Sequence, residues 1–216
     1  MLELLRIGLP VSLQLVMELS AFAISGIIIG TIGAVELAAH QIAISCALFT
    51  FMVSLGLAQG ASIRISNAWG RNNWHAIRTI GKSTTISALF YGLVCAIVFL
   101  IFREKIPHLF NKNTQVLSLS ATLLLYAAVF QISNAIQATS ASMLRGIKDV
   151  KMPTLYIAIA YWAIGIPVGY IMAFPVGLGV YGMWIGFIAG LTFSAVILTI
   201  RFNKIVHKNN LDSSNS

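Results

Sequence analysis

Six long apolar runs divide this sequence, and almost every charge lies between them. The runs cover residues 9–31, 42–62, 81–102, 117–143, 154–174 and 180–200. Apart from Lys82 at an edge, Glu18 is the one formal charge inside them. An α-helix rises ~1.5 Å per residue, so ~20 apolar residues cross a hydrocarbon layer of ~30 Å. Each run has that length. Lipid offers the backbone no hydrogen-bond partner, which leaves helices as the spanning structure for runs of this kind. The expected fold is all-α: a polytopic membrane protein with six transmembrane helices over residues 1–207. A polar cytoplasmic tail follows at 208–216 and is expected to be disordered.

Composition excludes other classes. Of 216 residues, 58% are hydrophobic and 9% charged, against about 25% charged in a soluble domain. A cytosolic enzyme, a disordered chain and a disulfide scaffold are all ruled out. Cys46 and Cys95 lie inside apolar runs without metal spacing, as small hydrophobes do. The first run is too long for a cleavable signal, is interrupted by Glu18 and lacks a small-x-small cleavage site, so it reads as a retained span.

The net charge is +8. With alternate gaps assigned to one side, the 14 Lys and Arg divide eleven to three. By the positive-inside bias both termini are cytoplasmic, and the basic pI reflects topology rather than a nucleic-acid partner. The gap at 63–80 is basic and amphipathic, and reads as a helical linker along the membrane interface with Trp69 and Trp74 at headgroup level. Residues 103–116 have a turn composition, and Leu144–Pro153 ends one helix and restarts another. Glycines four apart (Gly26 and Gly30; Gly56 and Gly60; Gly165 and Gly169; Gly182, Gly186 and Gly190) predict close helix packing. Pro167 predicts a kink in the fifth helix.

Glu18 is the sharpest chemical signal. A carboxylate near mid-span costs several kcal/mol, so such residues face a cavity or a partner and mark ion pathways. Its helix places Gln14 one turn before it and Ser25 two turns after, with Phe22 between, a stripe that points inward. The alternative is a structural acid, protonated and bonded to a neighbouring helix. The fourth run carries Phe130, Gln131, Asn134 and Gln137, with Ser133, Thr139 and Ser140. Steps of three put the amides on neighbouring parts of one face, where they can supply carbonyl ligands to a cation or bond a substrate. Equally, they can tie helices together. His40, His75, His108 and His207 fall in gaps or at membrane edges. With no phosphate loop, HExxH, GxSxG or paired carboxylates, the sequence reads as neither an enzyme nor a cofactor protein.

The run GLPVSLQLVMELSAFAISGIIIGTIGAVELAAHQIA, followed by FTFMVSLGLAQGASIRISNAWGRNN and later by LRGIKDVKMP with YWAIGIPVGY, resembles the carboxy-terminal half of multidrug and toxic-compound extrusion (MATE) transporters of the NorM type. The resemblance extends from Leu2 to about Lys204. Family members have twelve helices in two six-helix lobes, and this chain supplies one lobe. The resemblance implies efflux of organic, often cationic compounds, driven by a sodium or proton gradient, in the bacterial inner (plasma) membrane. Glu18, 22 positions before His40, falls on a family carboxylate associated with coupling cations and cationic drugs. Phe130, Gln131 and Asn134 fall on a second cluster, and Gln14 joins the candidate set through its place beside Glu18. Many members have Tyr and Asp where this chain has Phe130 and Asn134, which removes a phenolic oxygen and a negative charge. Glu18 with a neutral amide holds sodium less tightly than two carboxylates. Protonation of Glu18 is therefore the favoured coupling, with sodium between Glu18 and Asn134 as the one metal reading.

Alternating access needs two lobes around a shared site. The expected partners are the lipid bilayer, an organic cation and a second six-helix lobe, supplied by a homodimer or a separate chain unless this is part of a longer protein. Two other readings stay open: a flippase for lipid or polysaccharide precursors, which calls for cationic residues around its cavity, and a non-transporting membrane subunit or inactive fragment.

Overall fold

The computed structural model describes the backbone of residues 2–214 and the side chains of 8–210. Those residues form α1 (Leu2–Ile32), α2 (Ala34–Gly70), α3 (Trp74–Phe102), a 3-10 turn (Ile106–Leu109), α4 (Thr114–Gly146), α5 (Lys151–Ala158), a π-helical segment (Ile159–Gly165), α6 (Ile166–Ala173) and α7 (Val180–Ser214). Among the described residues no strand occurs. Six helical stretches are long and apolar enough to cross a membrane, the fifth being α5, the π segment and α6 together, Lys151–Ala173.

Three boundaries differ from the sequence expectation. First, Gly33 alone separates α1 from α2, so residues 34–41 are helical. Ala39, His40, Ile42 and Ala43 are buried, and this packing holds the first turns of α2 in place, with Glu36 at its positive dipole end. Second, residues 63–80 are not a separate helix along the interface. They are the end of α2 and the start of α3, broken at Arg71–Asn73. Ile65, Ala68 and Ile77 are buried, so the buried faces of both spans continue into this stretch. The break uses Asn chemistry: Asn72 takes the left-handed conformation at φ 54°, and the Asn73 side chain caps α3 by accepting from Ala76 N–H at 2.9 Å. Third, the tail expected to be disordered from residue 208 is helical as far as Ser214, since the helix ladder of α7 continues and Asn209 donates to the Ile205 carbonyl at 2.8 Å. Residues 215–216 of that tail lie outside the described residues.

α4 is the hub, packed against α2, α3 and α7. Its residues from Phe130 to Leu144 are almost all buried. α3 comes in close at Gly92, where a Cβ would stand 2.9 Å from Ile132 Cα. α7 runs parallel to α4. Ser133 and Thr192 hydroxyls bond at 2.8 Å, and Ser140 and Thr199 bond at 2.9 Å. Each helix advances seven residues between the two bonds, two helical turns, so the pair is held in register.

The fifth and sixth spans pack backbone to backbone. A Cβ on Gly186 would collide with the Gly165 carbonyl and Gly169, and one on Gly182 would collide with the Met172–Ala173 backbone. The interruption expected at Pro167 takes the form of the π segment just before it, where the proline's missing N–H frees the helix ladder. Gly26, Gly56 and Gly60 have nothing within 4 Å of a built Cβ, so their spacing serves no contact within this lobe. Gly186→Ala should therefore lower unfolding stability in detergent micelles by about 1–3 kcal/mol, while Gly56→Ala should leave it unchanged or raise it.

Candidate functional site

Glu18 sits half-buried on α1. Its Oε1 accepts from Gln14 Nε2 at 3.1 Å, one turn earlier on the same helix, and from Gln137 Nε2 of α4 at 3.2 Å. The carboxylate therefore bridges two helices through two amide donors. These groups border a cavity of about 40 Å³ that also touches Phe51, Ala138 and Arg145. A water needs on the order of 10–15 Å³ of such space, so the cavity is of a size for water or a small ion.

Arg145 is the functional candidate that sequence reasoning missed. In the sequence it marks a helix end and a topology charge. Yet Gln137, Ala141 and Arg145 follow one another at four-residue steps, one face of α4, and all three border the Glu18 cavity. It is anchored by a hydrogen bond to Ser142 on its own helix. The spacing was the available signal. Arg145 also borders a larger cavity of about 650 Å³ with Trp69 and Lys148, whose ammonium lies 5.0 Å from the Trp69 ring centre.

The remaining predicted residues fall into separate groups. Gln131 turns toward α2, where its amide donates to the Ala47 carbonyl at 3.0 Å and to the Thr50 hydroxyl. Asn134 donates to Gln131 Oε1 at 3.3 Å. Among the described residues these two amides share no hydrogen bond with Glu18. Phe130 enters an aromatic cluster, 6.3 Å from Phe22 and 5.8 Å from Trp184 between ring centres. Phe22 also meets Phe187 at 5.1 Å and Tyr161 at 5.6 Å. Ser25 donates back to the Ala21 carbonyl at 2.8 Å and stands apart from the Glu18 group.

His40 is not in a gap between helices. It lies inside α2, 2% exposed, with its ring 5.8 Å from Trp184 and 6.4 Å from Phe187. His40 Nδ1 and Trp184 Nε1 are buried without a hydrogen-bond partner among the described residues. The burial of the first turns of α2, which placed that boundary early, also carries His40 inward. His75, His108 and His207 are exposed.

Comparison with known proteins places this arrangement. The sequence profile of the MatE family matches residues 10–171. The chain belongs to the MatE family. The Agrobacterium fabrum protein named "Probable multidrug resistance protein NorM" is 37% identical over 218 residues, which cover 95% of this chain and 45% of that protein. "Multidrug resistance protein NorM" of Aliivibrio fischeri is 35% identical over 203 residues, with 92% and 44% covered. The crystal structure of the eukaryotic MATE transporter AtDTX14 matches with a TM-score of 0.87 at 20% identity, covering 96% of this chain and 48% of that one. This likeness assigns the fold. The MatE chain spans about half the length of the curated relatives it matches.

The geometry of this MatE lobe separates Gln137 from Gln131. In a double-mutant cycle on unfolding stability in micelles, Glu18→Gln and Gln137→Leu should couple by about 0.5–1.5 kcal/mol. Glu18→Gln and Gln131→Leu should be additive. Equal coupling in both pairs would contradict the placement described here.

Proposed function

We propose that this chain is one lobe of a cation-coupled multidrug efflux antiporter, with Glu18 as the group that takes up and releases the coupling cation. The observation that carries the reading is a mid-span carboxylate held by two amide donors beside a cavity sized for one small ion. Membrane interiors tolerate such a group where ions pass. The names of the relatives supply the drug-efflux part, and the half-length match supplies the need for a second lobe. A 40 Å³ space cannot admit a drug, so the drug cavity belongs between two lobes, where alternating access operates.

The residues divide the work as follows. Gln14 and Gln137 stabilise the ionised carboxylate by donating to it. When Glu18 takes a proton, either amide can rotate to present its oxygen, because Gln offers both donors and acceptors. Arg145 provides a positive charge at the same cavity, which offsets Glu18 once the cation leaves and disfavours a second cation beside it. Asn134 is neutral and engaged by Gln131. Both features favour a proton over sodium, and both termini are placed in the cytoplasm by the charge asymmetry of the loops.

One observation favours a second reading. Arg145 and Lys148 border the same 650 Å³ cavity, the kind of cationic lining a flippase would use for pyrophosphate headgroups. The two readings separate on substrate: dye efflux from cells supports the antiporter, and precursor translocation without dye efflux supports the flippase.

The deciding measurement is gradient-driven efflux of a cationic dye by the chain together with its second lobe. Glu18→Gln should reduce efflux driven by a proton gradient at least about tenfold, with expression and membrane insertion intact. Unchanged efflux would remove Glu18 from the coupling step. Efflux that follows an imposed sodium gradient at constant pH would overturn proton coupling.

A further inference from the structure

A third charged cavity lies away from Glu18, between α3 and α7, at the end of the bundle where most of the basic residues gather. Its volume is about 470 Å³. On α3, Arg78, Lys82 and Ile86 follow at four-residue steps and form one wall; Phe202, Asn203 and His207 of α7 contribute to the other. The floor is fixed by close packing. Phe202 is buried and rests on Gly81, where any side chain would collide with its ring. No acidic residue lines the cavity, and among the described residues Arg78 and Lys82 have no carboxylate partner.

The depth of this cavity is set by helix length. Lys82 and Arg103 stand 21 positions apart on and just beyond α3, or ~31 Å at 1.5 Å per residue. That equals the hydrocarbon thickness of a bilayer, so the two cations mark its opposite boundaries. On α7, Val180 and Arg201 are separated by the same 21 positions, which brings Asn203 and His207 to the boundary that Lys82 marks. The polar mouth of the cavity is therefore at headgroup level. Below it, Ile86 and Phe90 continue the Arg78–Lys82 line toward the membrane centre, each 68% exposed.

We infer that this groove binds an anionic phospholipid. The phosphate sits between Arg78 and Lys82, Asn203 bonds the headgroup, and an acyl chain runs down over Ile86 and Phe90. Two cations one turn apart on a helix present a concentrated positive field, and basic pockets between spans recognise anionic headgroups on this principle. The apolar continuation distinguishes a lipid from a free phosphate, which would leave Ile86 and Phe90 without a role.

The test is a lipid titration of the full chain in neutral detergent micelles, read by native mass spectrometry. Phosphatidylglycerol, phosphatidylcholine and inorganic phosphate form separate arms. Phosphatidylglycerol should bind at one preferred site, and Arg78→Gln with Lys82→Gln should weaken it roughly 30-fold without changing the weak phosphatidylcholine binding. The charge-preserving exchange Arg78→Lys with Lys82→Arg should retain most of the affinity, which separates loss of charge from loss of fold. Arg103→Gln with Lys105→Gln, at the opposite boundary, should leave the preferred site intact. An unchanged titration in the Arg78/Lys82 double variant, an equal loss in the Arg103/Lys105 double variant, or displacement of the lipid by millimolar inorganic phosphate would each overturn the assignment.

Discussion

In a bilayer interior a polar side chain has no water to bond, so every such group must find a partner in the protein. This lobe meets most of that demand through one helix, while His40 Nδ1 and Trp184 Nε1 stay unpartnered among the described residues. α4 carries Gln131, Ser133, Asn134, Gln137 and Ser140, and each bond they make fixes a neighbour. Gln131 holds α2, Ser133 and Ser140 hold α7, and Gln137 reaches α1 through Glu18. Asn134 orients Gln131 from within the helix. Apolar side chains alone would gain little here, because lipid tails compete with them for the same contacts. The hydrogen bonds decide which helix meets which, and at what register.

Much of this was legible in the sequence. The six runs located six spans, and the four-residue interval between Gln14 and Glu18 placed an amide against the carboxylate. The glycines of the fifth and sixth runs marked a true backbone contact. Less legible was which polar residues share a site. Three-residue steps fall ~60° short of a full turn on a 3.6-residue helix, so Gln131 and Gln137 are rotated ~120° apart. One faces α2 and the other α1, and a pattern that looks like a single face divides into two. The burial of His40 involves ring contacts with Trp184 and Phe187 of α7, about 150 positions along the chain, which leave no local periodic signal. Arg145 did carry a local signal, its four-residue spacing from Ala141 and Gln137, but its loop-like position concealed a place two turns from Gln137.

The charge arrangement around Glu18 has an internal logic. A lone carboxylate at this depth is costly, and the lobe offsets it with neutral donors close by and one guanidinium at the edge of the cavity. Neutral donors leave the acid free to change its state, whereas a direct ion pair would fix it as the anion. Arg145 is instead anchored to Ser142 on its own helix. Membership in the MatE family and the half-length match give this arrangement its context: on the proposed reading, the small cavity lies within a lobe and the volume for a larger solute lies between two lobes.

Two close seams of the lobe, the paired hydroxyls of α4 with α7 and the glycine contact of α6 with α7, like the broad contacts of α4 with α2 and α3, leave out α1. That helix is held by α2, by the fifth span and by a few side-chain bonds, among them Thr154 to the Pro10 carbonyl and Trp162 to the Met17 carbonyl. The residue with the most to gain from a change of surroundings thus rides on the least constrained span. Shifting α1 costs two or three hydrogen bonds, while shifting any other span would tear an interlocked seam. On the proposed reading, a change of state at Glu18 acts on one of those few bonds directly, and so reaches a whole helix without the rest of the bundle having to deform.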